Sequence, residues 1–180
     1  EGIDVAVILN ALRALGGYRP AAPSDGPEAA LSQRFEAEHA VLMPVVNRIR
    51  TVADRLDGGD RAAAAAEARD IHRFLVEELL PHEMEEERTF YPAIAKLLGG
   101  DDPTGTMIRA HAEIVHLTRV LERALEELPP GGPDAEDLPE LRRILYGLHA
   151  ILRLHFAQEE EAYISLFERP APAQAQRASA

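Results

Sequence analysis

The sequence predicts an all-α protein, namely an antiparallel up-and-down four-helix bundle with an extra N-terminal helix. Ala, Leu, Glu and Arg dominate the 180 residues and aromatic residues make up only 5%, a composition that favours helices over strands. Four long stretches carry apolar residues at helical spacing. The loops between them are short or of moderate length, which makes neighbouring helices antiparallel.

The four predicted bundle helices are separated by breaks rich in Gly, Pro and Asp. They cover residues 28–56, 61–98, 104–128 and 138–167. Proline lies inside two of them, at Pro44 in the first and at Pro81 and Pro92 in the second. Because proline lacks an N–H and its ring clashes with the preceding turn, we expect the helices to bend at these positions.

Two further segments flank the predicted bundle. The predicted boundaries are an apolar N-terminal helix at 1–16, a linker at 17–29, the bundle at 30–167 and a disordered tail at 168–180. The tail is rich in Pro, Ala and Gln and offers nothing to bury. A start at Glu1 rather than Met is typical of a processed chain or an excised piece.

Charge and cysteine content exclude several classes of function. The formal net charge of -12 at pH 7 argues against nucleic acid or an anionic membrane surface as a partner. Without cysteine, any metal must be held by His, Asp, Glu or Tyr. No stretch reaches the ~20 apolar residues of a bilayer span, and no signal-peptide layout begins the sequence. The sequence therefore predicts a cytoplasmic location.

Each predicted bundle helix carries one histidine on its apolar stripe. These histidines are His39, His82, His111 and His155. Counting residues from each histidine to its hairpin loop places the two histidines of a hairpin at about the same height. Burying four such groups without a partner is costly, so the pattern predicts a compensating charge, namely a pair of metal ions.

Three glutamates accompany two of these histidines. Glu86 follows His82 by four residues and Glu159 follows His155 by four, so each pair shares one helix face. Glu83 follows His82 by one residue, about 100° round the helix, and can reach the site from the side. An imidazole and a carboxylate on one face can share a metal ion. The alternative for Glu83 is a solvated surface carboxylate.

Other residues are expected to play smaller parts. Glu36 lies one turn before His39 and is expected to orient its ring. Glu85 and Glu87 are expected in solvent, and Tyr163 is the tyrosine expected near the fourth-helix histidine.

The histidine and glutamate series resembles the hemerythrin-like, or HHE cation-binding, domain. The resemblance covers residues 31–167 and rests on His39, HEMEE at 82–86, His111 and HFAQE at 155–159. It implies a four-helix bundle around a non-haem di-iron centre, with two iron ions joined by an oxo or hydroxo bridge. On this resemblance the ligands are His39 and His82 for one ion, His111 and His155 for the other, and Glu86 and Glu159 as bridges.

One position departs from the hemerythrins proper, which have a second histidine where this chain has Val115. The resemblance to glutamate-containing variants implies that Glu83 supplies the missing ligand. A ligand set richer in carboxylates argues against simple oxygen carriage, so the expected function is binding or sensing of O2, peroxide, NO or iron in a regulatory role. The alternatives are a di-iron redox enzyme and a metal-free structural bundle.

The N-terminal stretch carries a second resemblance. Residues 1–13, EGIDVAVILNALR, resemble the end of the last transmembrane segment of heavy-metal P-type ATPases. Some of these transporters carry a hemerythrin-like domain at the C-terminus. The resemblance implies a cytosolic domain tethered to the inner face of a membrane, with a fused metal transporter as its partner.

Overall fold

A computed structural model describes residues 26–58, 61–99 and 102–167 of the chain. Over these residues the protein is an all-α four-helix bundle without strands, which confirms the predicted fold class. The N-terminal helix predicted for 1–16, most of the linker and the predicted tail lie outside the described residues. None of the described helices is long and apolar enough to cross a membrane.

The bundle helices follow the predicted order. They are α1 (Pro27–Arg55), a second helical region at 61–98, α5 (Gly105–Glu126) and α6 (Leu138–Ala162). Helix α1 packs against the second region and α6, and α5 packs against α6 and the start of the second region. The helix α1 begins with Pro27 in its first turn, where the missing N–H costs nothing, and continues unbroken through Pro44.

The second region is interrupted twice. It consists of α2 (Arg61–Phe74), α3 (Leu80–Glu85) and α4 (Tyr91–Leu98), separated by π-helical turns at Leu75–Leu79 and Glu86–Phe90. Pro81 and Pro92 are the second residues of α3 and α4. The second region is therefore interrupted by a π-turn just before each proline, and the predicted bends at Pro81 and Pro92 stay predictions.

The second π-turn changes which side chains share a face. The Tyr91 N–H bonds to the carbonyl of Glu86, five residues earlier. On a regular α-helix five residues subtend about 140°, but the wider π-turn brings the two side chains to the same side. Such turns occur frequently at functional sites.

The buried apolar residues form two clusters. The larger one runs through α1, α2, α5 and α6 on the side where α1 ends and α2 begins. The smaller one contains Phe35, Phe90, Tyr91 and Tyr163 and lies at the opposite end of the bundle. On each of the four bundle segments, the predicted metal ligands lie in sequence at or next to the boundary between the two clusters.

Candidate metal centre

Seven buried polar side chains form a layer between the two apolar clusters. Each is at most 8% exposed, and together they are the seven predicted metal residues: His39, His82, Glu83, Glu86, His111, His155 and Glu159. The structure therefore brings all seven together. Glu83, whose alternative was a solvated carboxylate, is 2% exposed.

One group of ligand atoms comes from Glu83, Glu86, His111 and His155, all within 4.8 Å of one another. Glu83 Oε2 lies 2.5 Å from Nε2 of His111 and 2.8 Å from Nε2 of His155. The two Nε2 atoms are 3.0 Å apart. A ring nitrogen carries either one proton or one lone pair, so it cannot satisfy several such neighbours by hydrogen bonding. A cation among these atoms would satisfy all of them at once.

A second group contains His39, His82 and Glu86. Glu86 Oε1 lies 3.3 Å from His39 Nε2 and 3.4 Å from His82 Nε2. Glu86 thus belongs to both groups. Glu159 Oε2 also lies between them, 3.4 Å from His39 Nε2 and 3.3 Å from His155 Nε2. These are the positions that two bridging carboxylates would occupy.

Unpaired buried atoms show whether a metal fits this donor set. The atoms of this layer that face the two groups and have no hydrogen-bond partner among the described residues include Nε2 of His39 and His82, Oε1 of Glu83, both oxygens of Glu86 and Oε2 of Glu159. Each such atom costs about 1–3 kcal/mol. Cations between the two groups would satisfy these atoms, and imidazole nitrogen with carboxylate oxygen suits iron, manganese or zinc. The residues therefore fit a metal centre.

The comparison with known families agrees with this geometry. A family model described as the hemerythrin HHE cation binding domain matches residues 30–177. The chain belongs to this family. The match includes all four helices and the whole buried layer, and it supports cation binding. No curated protein and no solved structure matches the chain.

Two further carboxylates orient imidazole rings in this HHE domain. His82 Nδ1–H donates to Glu38 over 2.9 Å, and His111 Nδ1–H donates to Glu87 over 2.8 Å. With Nδ1 protonated, the Nε2 of each neutral ring keeps a lone pair directed at the centre, as a metal ligand requires. Glu87 is exposed, as predicted, but one of its carboxylate oxygens also accepts the hydrogen bond from His111, which the sequence did not indicate.

His39 is oriented differently. Glu36, which was expected to orient its ring, is exposed. The carboxylate near His39 Nδ1 is that of Glu160, at 3.9 Å. The ring also stacks on Phe156, with centroids 4.3 Å apart and planes 7° apart. Packing against an aromatic face therefore fixes the position of this ring.

Sequence reasoning missed Tyr91. Its hydroxyl donates to Glu159 Oε1 and lies 3.0 Å from His111 Nε2. Tyr163 was expected near the site, but its hydroxyl donates to the Pro103 carbonyl instead. The sequence feature that pointed to this region was Pro92, directly after Tyr91, which predicts a distorted helix. It does not predict the π-turn that brings Tyr91 to the same side of the helix as Glu86.

The carboxyl groups of the HHE centre differ strongly in proton affinity. Burial, reinforced by neighbouring carboxylates, raises the pKa of both Glu86 and Glu159 to about 8. Burial also acts to raise the pKa of Glu83, but its contacts with His111 and His155 hold that pKa well below the ordinary value. Glu83 is therefore ionised at pH 7, whereas Glu86 and Glu159 retain protons.

The histidines of the centre also differ in proton affinity. Burial lowers the pKa of His39 and His82, so both rings are neutral at pH 7. Burial also acts to lower the pKa of His111, but Glu83 and Glu87 outweigh it and raise that pKa to about 9. The metal-free centre thus holds protons at pH 7 that a metal must displace.

Proposed function

We propose that this HHE domain holds a non-haem di-iron centre and binds or senses O2, peroxide, NO or iron in a regulatory role. The observation that carries the proposal is the pair of histidine groups that share Glu86. Each group offers two Nε2 atoms on one side of a common carboxylate. This arrangement is suited to two adjacent ions rather than to one.

A bound iron pair would supply redox chemistry and open coordination positions for a small ligand. The chain itself performs four tasks. The four imidazoles present lone pairs, and the shared carboxylates lie between the two groups. Glu38 and Glu87 fix the rings of His82 and His111, and the Phe156 ring packs against His39. Together they preorganise the donor set and keep bulk water away from it.

Access to the centre favours a small ligand. Two clefts reach the layer, one of about 330 Å³ with His39 in its wall and one of about 380 Å³ with His82 in its wall. Both rings are nevertheless nearly inaccessible, at 1% and 8% exposure. A diatomic molecule or peroxide can reach such atoms through small movements, whereas a bulky organic substrate would have to displace the helices.

Purification with iron present tests this proposal. We expect two irons per chain and a visible absorption spectrum. Adding peroxide then separates the two remaining functions. A stable spectral change without peroxide loss supports the sensor, and turnover well above that of free iron supports the alternative, a di-iron redox enzyme. No metal above background would contradict both.

The setting of the domain in the cell is a further part of the proposal. We infer a cytoplasmic location and a fused membrane metal transporter from the resemblance at residues 1–13, which lie outside the described part of the structure. A membrane fraction that retains the full-length gene product, and releases this domain after proteolysis near the linker, would support the inference.

A further inference from the structure

The hydroxyl of Tyr91 lies among the ligand atoms of the centre rather than behind them. Tyr91 is 2% exposed, and its ring stacks on that of His111, with centroids 5.4 Å apart and an angle of 26° between planes. Its oxygen lies 3.0 Å from His111 Nε2, and its hydroxyl donates to Glu159. Both neighbours are themselves candidate ligands of the centre.

The spacing of these atoms is that of donors around one ion. Two donors that each lie about 2.1 Å from an ion, at right angles, are about 3.0 Å apart. The Nε2 atoms of His111 and His155 are 3.0 Å apart, and the Tyr91 oxygen is 3.0 Å from the first of them. Glu83 Oε2 lies 2.5 Å from the same Nε2.

In the metal-free protein a proton on His111 Nε2 accounts for its contact with the Tyr91 oxygen, but a metal-bound Nε2 carries no proton, so a hydrogen bond cannot hold the two atoms together in that state. The ring of His111 donates its Nδ1–H to Glu87, so a metal-binding Nε2 carries only a lone pair. The Tyr91 hydroxyl directs its single proton to Glu159. Two lone pairs then face each other over 3.0 Å, which is unfavourable unless a cation lies between them.

We propose that the phenolic oxygen of Tyr91 is a ligand of the metal ion held by His111, His155 and Glu83. The inference rests on the proposed metal centre. On coordination the O–H bond breaks, the oxygen keeps the electron pair and binds the ion, and the proton passes to Glu159, whose carboxyl has by then lost to the metal the proton that it holds in the metal-free protein.

Tyrosine ligation makes the two metal positions unequal. Six residues then surround the first ion: Glu83, Glu86, Tyr91, His111, His155 and Glu159. The second ion keeps only His39, His82 and the two shared carboxylates. Open positions therefore lie at the second ion, and the two clefts that reach the layer have His39 and His82 in their walls. Small ligands should accordingly bind on that side.

Resonance Raman spectroscopy of the iron-loaded chain tests this ligand. Ferric phenolate has a charge-transfer band in the visible region, and excitation there enhances tyrosine ring vibrations. We expect these vibrations in the wild type, with a shift when the protein is made with ring-deuterated tyrosine. The variant Tyr91→Phe should lose them. Tyr163→Phe is the matched control, because that buried hydroxyl bonds a backbone carbonyl, and it should retain them.

The outcomes separate this inference from the proposed function. Iron bound by the wild type, without tyrosine vibrations, overturns the Tyr91 ligand and leaves the metal centre standing. Tyrosine vibrations that persist in Tyr91→Phe also overturn it. A wild type that binds no iron overturns both proposals. Should Tyr91→Phe fail to fold, the isotope shift in the wild type and its retention in Tyr163→Phe still decide the question.

Discussion

Replacing Glu86 with methionine should stabilise the metal-free protein while abolishing its response to metal. Glu86 is 0% exposed and both of its oxygens lack a hydrogen-bond partner among the described residues. In the unfolded chain this carboxyl is ionised and hydrated at pH 7. In the folded chain its pKa of about 8 keeps it protonated and buried. Methionine is similar in length and has no proton to retain.

The size of the effect follows from proton linkage. The pKa rises from an ordinary 4.5 to about 8, and a tenfold change in proton affinity corresponds to about 1.4 kcal/mol. Keeping the group protonated at pH 7 therefore costs about 3 kcal/mol. Imperfect packing of the new side chain offsets part of this, so Glu86→Met should raise the free energy of unfolding of the metal-free protein by about 1–3 kcal/mol.

Urea unfolding at pH 7, followed by circular dichroism, measures this change in chelator-treated protein. The control is Glu113→Met, an exposed position on α5, which should change the free energy by less than about 0.5 kcal/mol. Iron should then stabilise the wild type and the control but not Glu86→Met. A metal-free Glu86→Met protein less stable than the wild type, with its stabilisation by iron intact, would refute the reasoning.

Two further predictions concern the protons and the hydrogen bonds of the centre. The folded metal-free chain binds protons more tightly than the unfolded chain at Glu86, Glu159 and His111, so it loses stability as the pH rises from about 4.5 to about 8 at the two glutamates and from 6.5 to about 9 at His111. Metal must displace these protons, so the increase in Tm that metal causes should grow between pH 7 and 9. Calorimetry with and without metal measures this increase. An increase that stays constant or shrinks over this range would contradict the prediction. Glu87→Gln should lower metal affinity by about 10–100-fold, measured in competition with a chelator, because Glu87 orients the His111 ring. Glu85→Gln is the control and should leave the affinity unchanged, since the Glu85 carboxylate pairs with arginines. Equal effects of the two variants would argue against a role for the orientation of the His111 ring.

The parts of the centre that follow helical periodicity could be predicted from the sequence. His82 with Glu86 and His155 with Glu159 are pairs four residues apart on regular or nearly regular turns, so spacing alone places them on one face. Spacing left Glu83 open between the site and solvent, because it lies about 100° from His82, and the structure decides for the interior.

The missed residues depend on tertiary structure. Tyr91 joins Glu86 only through a π-turn, and proline in the sequence signals an interruption without specifying its form. Glu38 and Glu87 bond to rings on other segments of the chain, 44 and 24 residues away. Such pairings depend on how far each helix is rotated about its own axis within the bundle. The spacing of apolar residues predicts this rotation too coarsely to show which carboxylate meets which ring.

Iron content per chain is the most direct test of the central claim that the two histidine groups each hold an ion. Ferrous iron should be added to metal-free protein, unbound iron removed by gel filtration, and iron and protein quantified. We expect two irons per chain in the wild type and background levels in a folded variant carrying both His39→Ala and His111→Ala. Equal iron content in the two proteins would contradict the account.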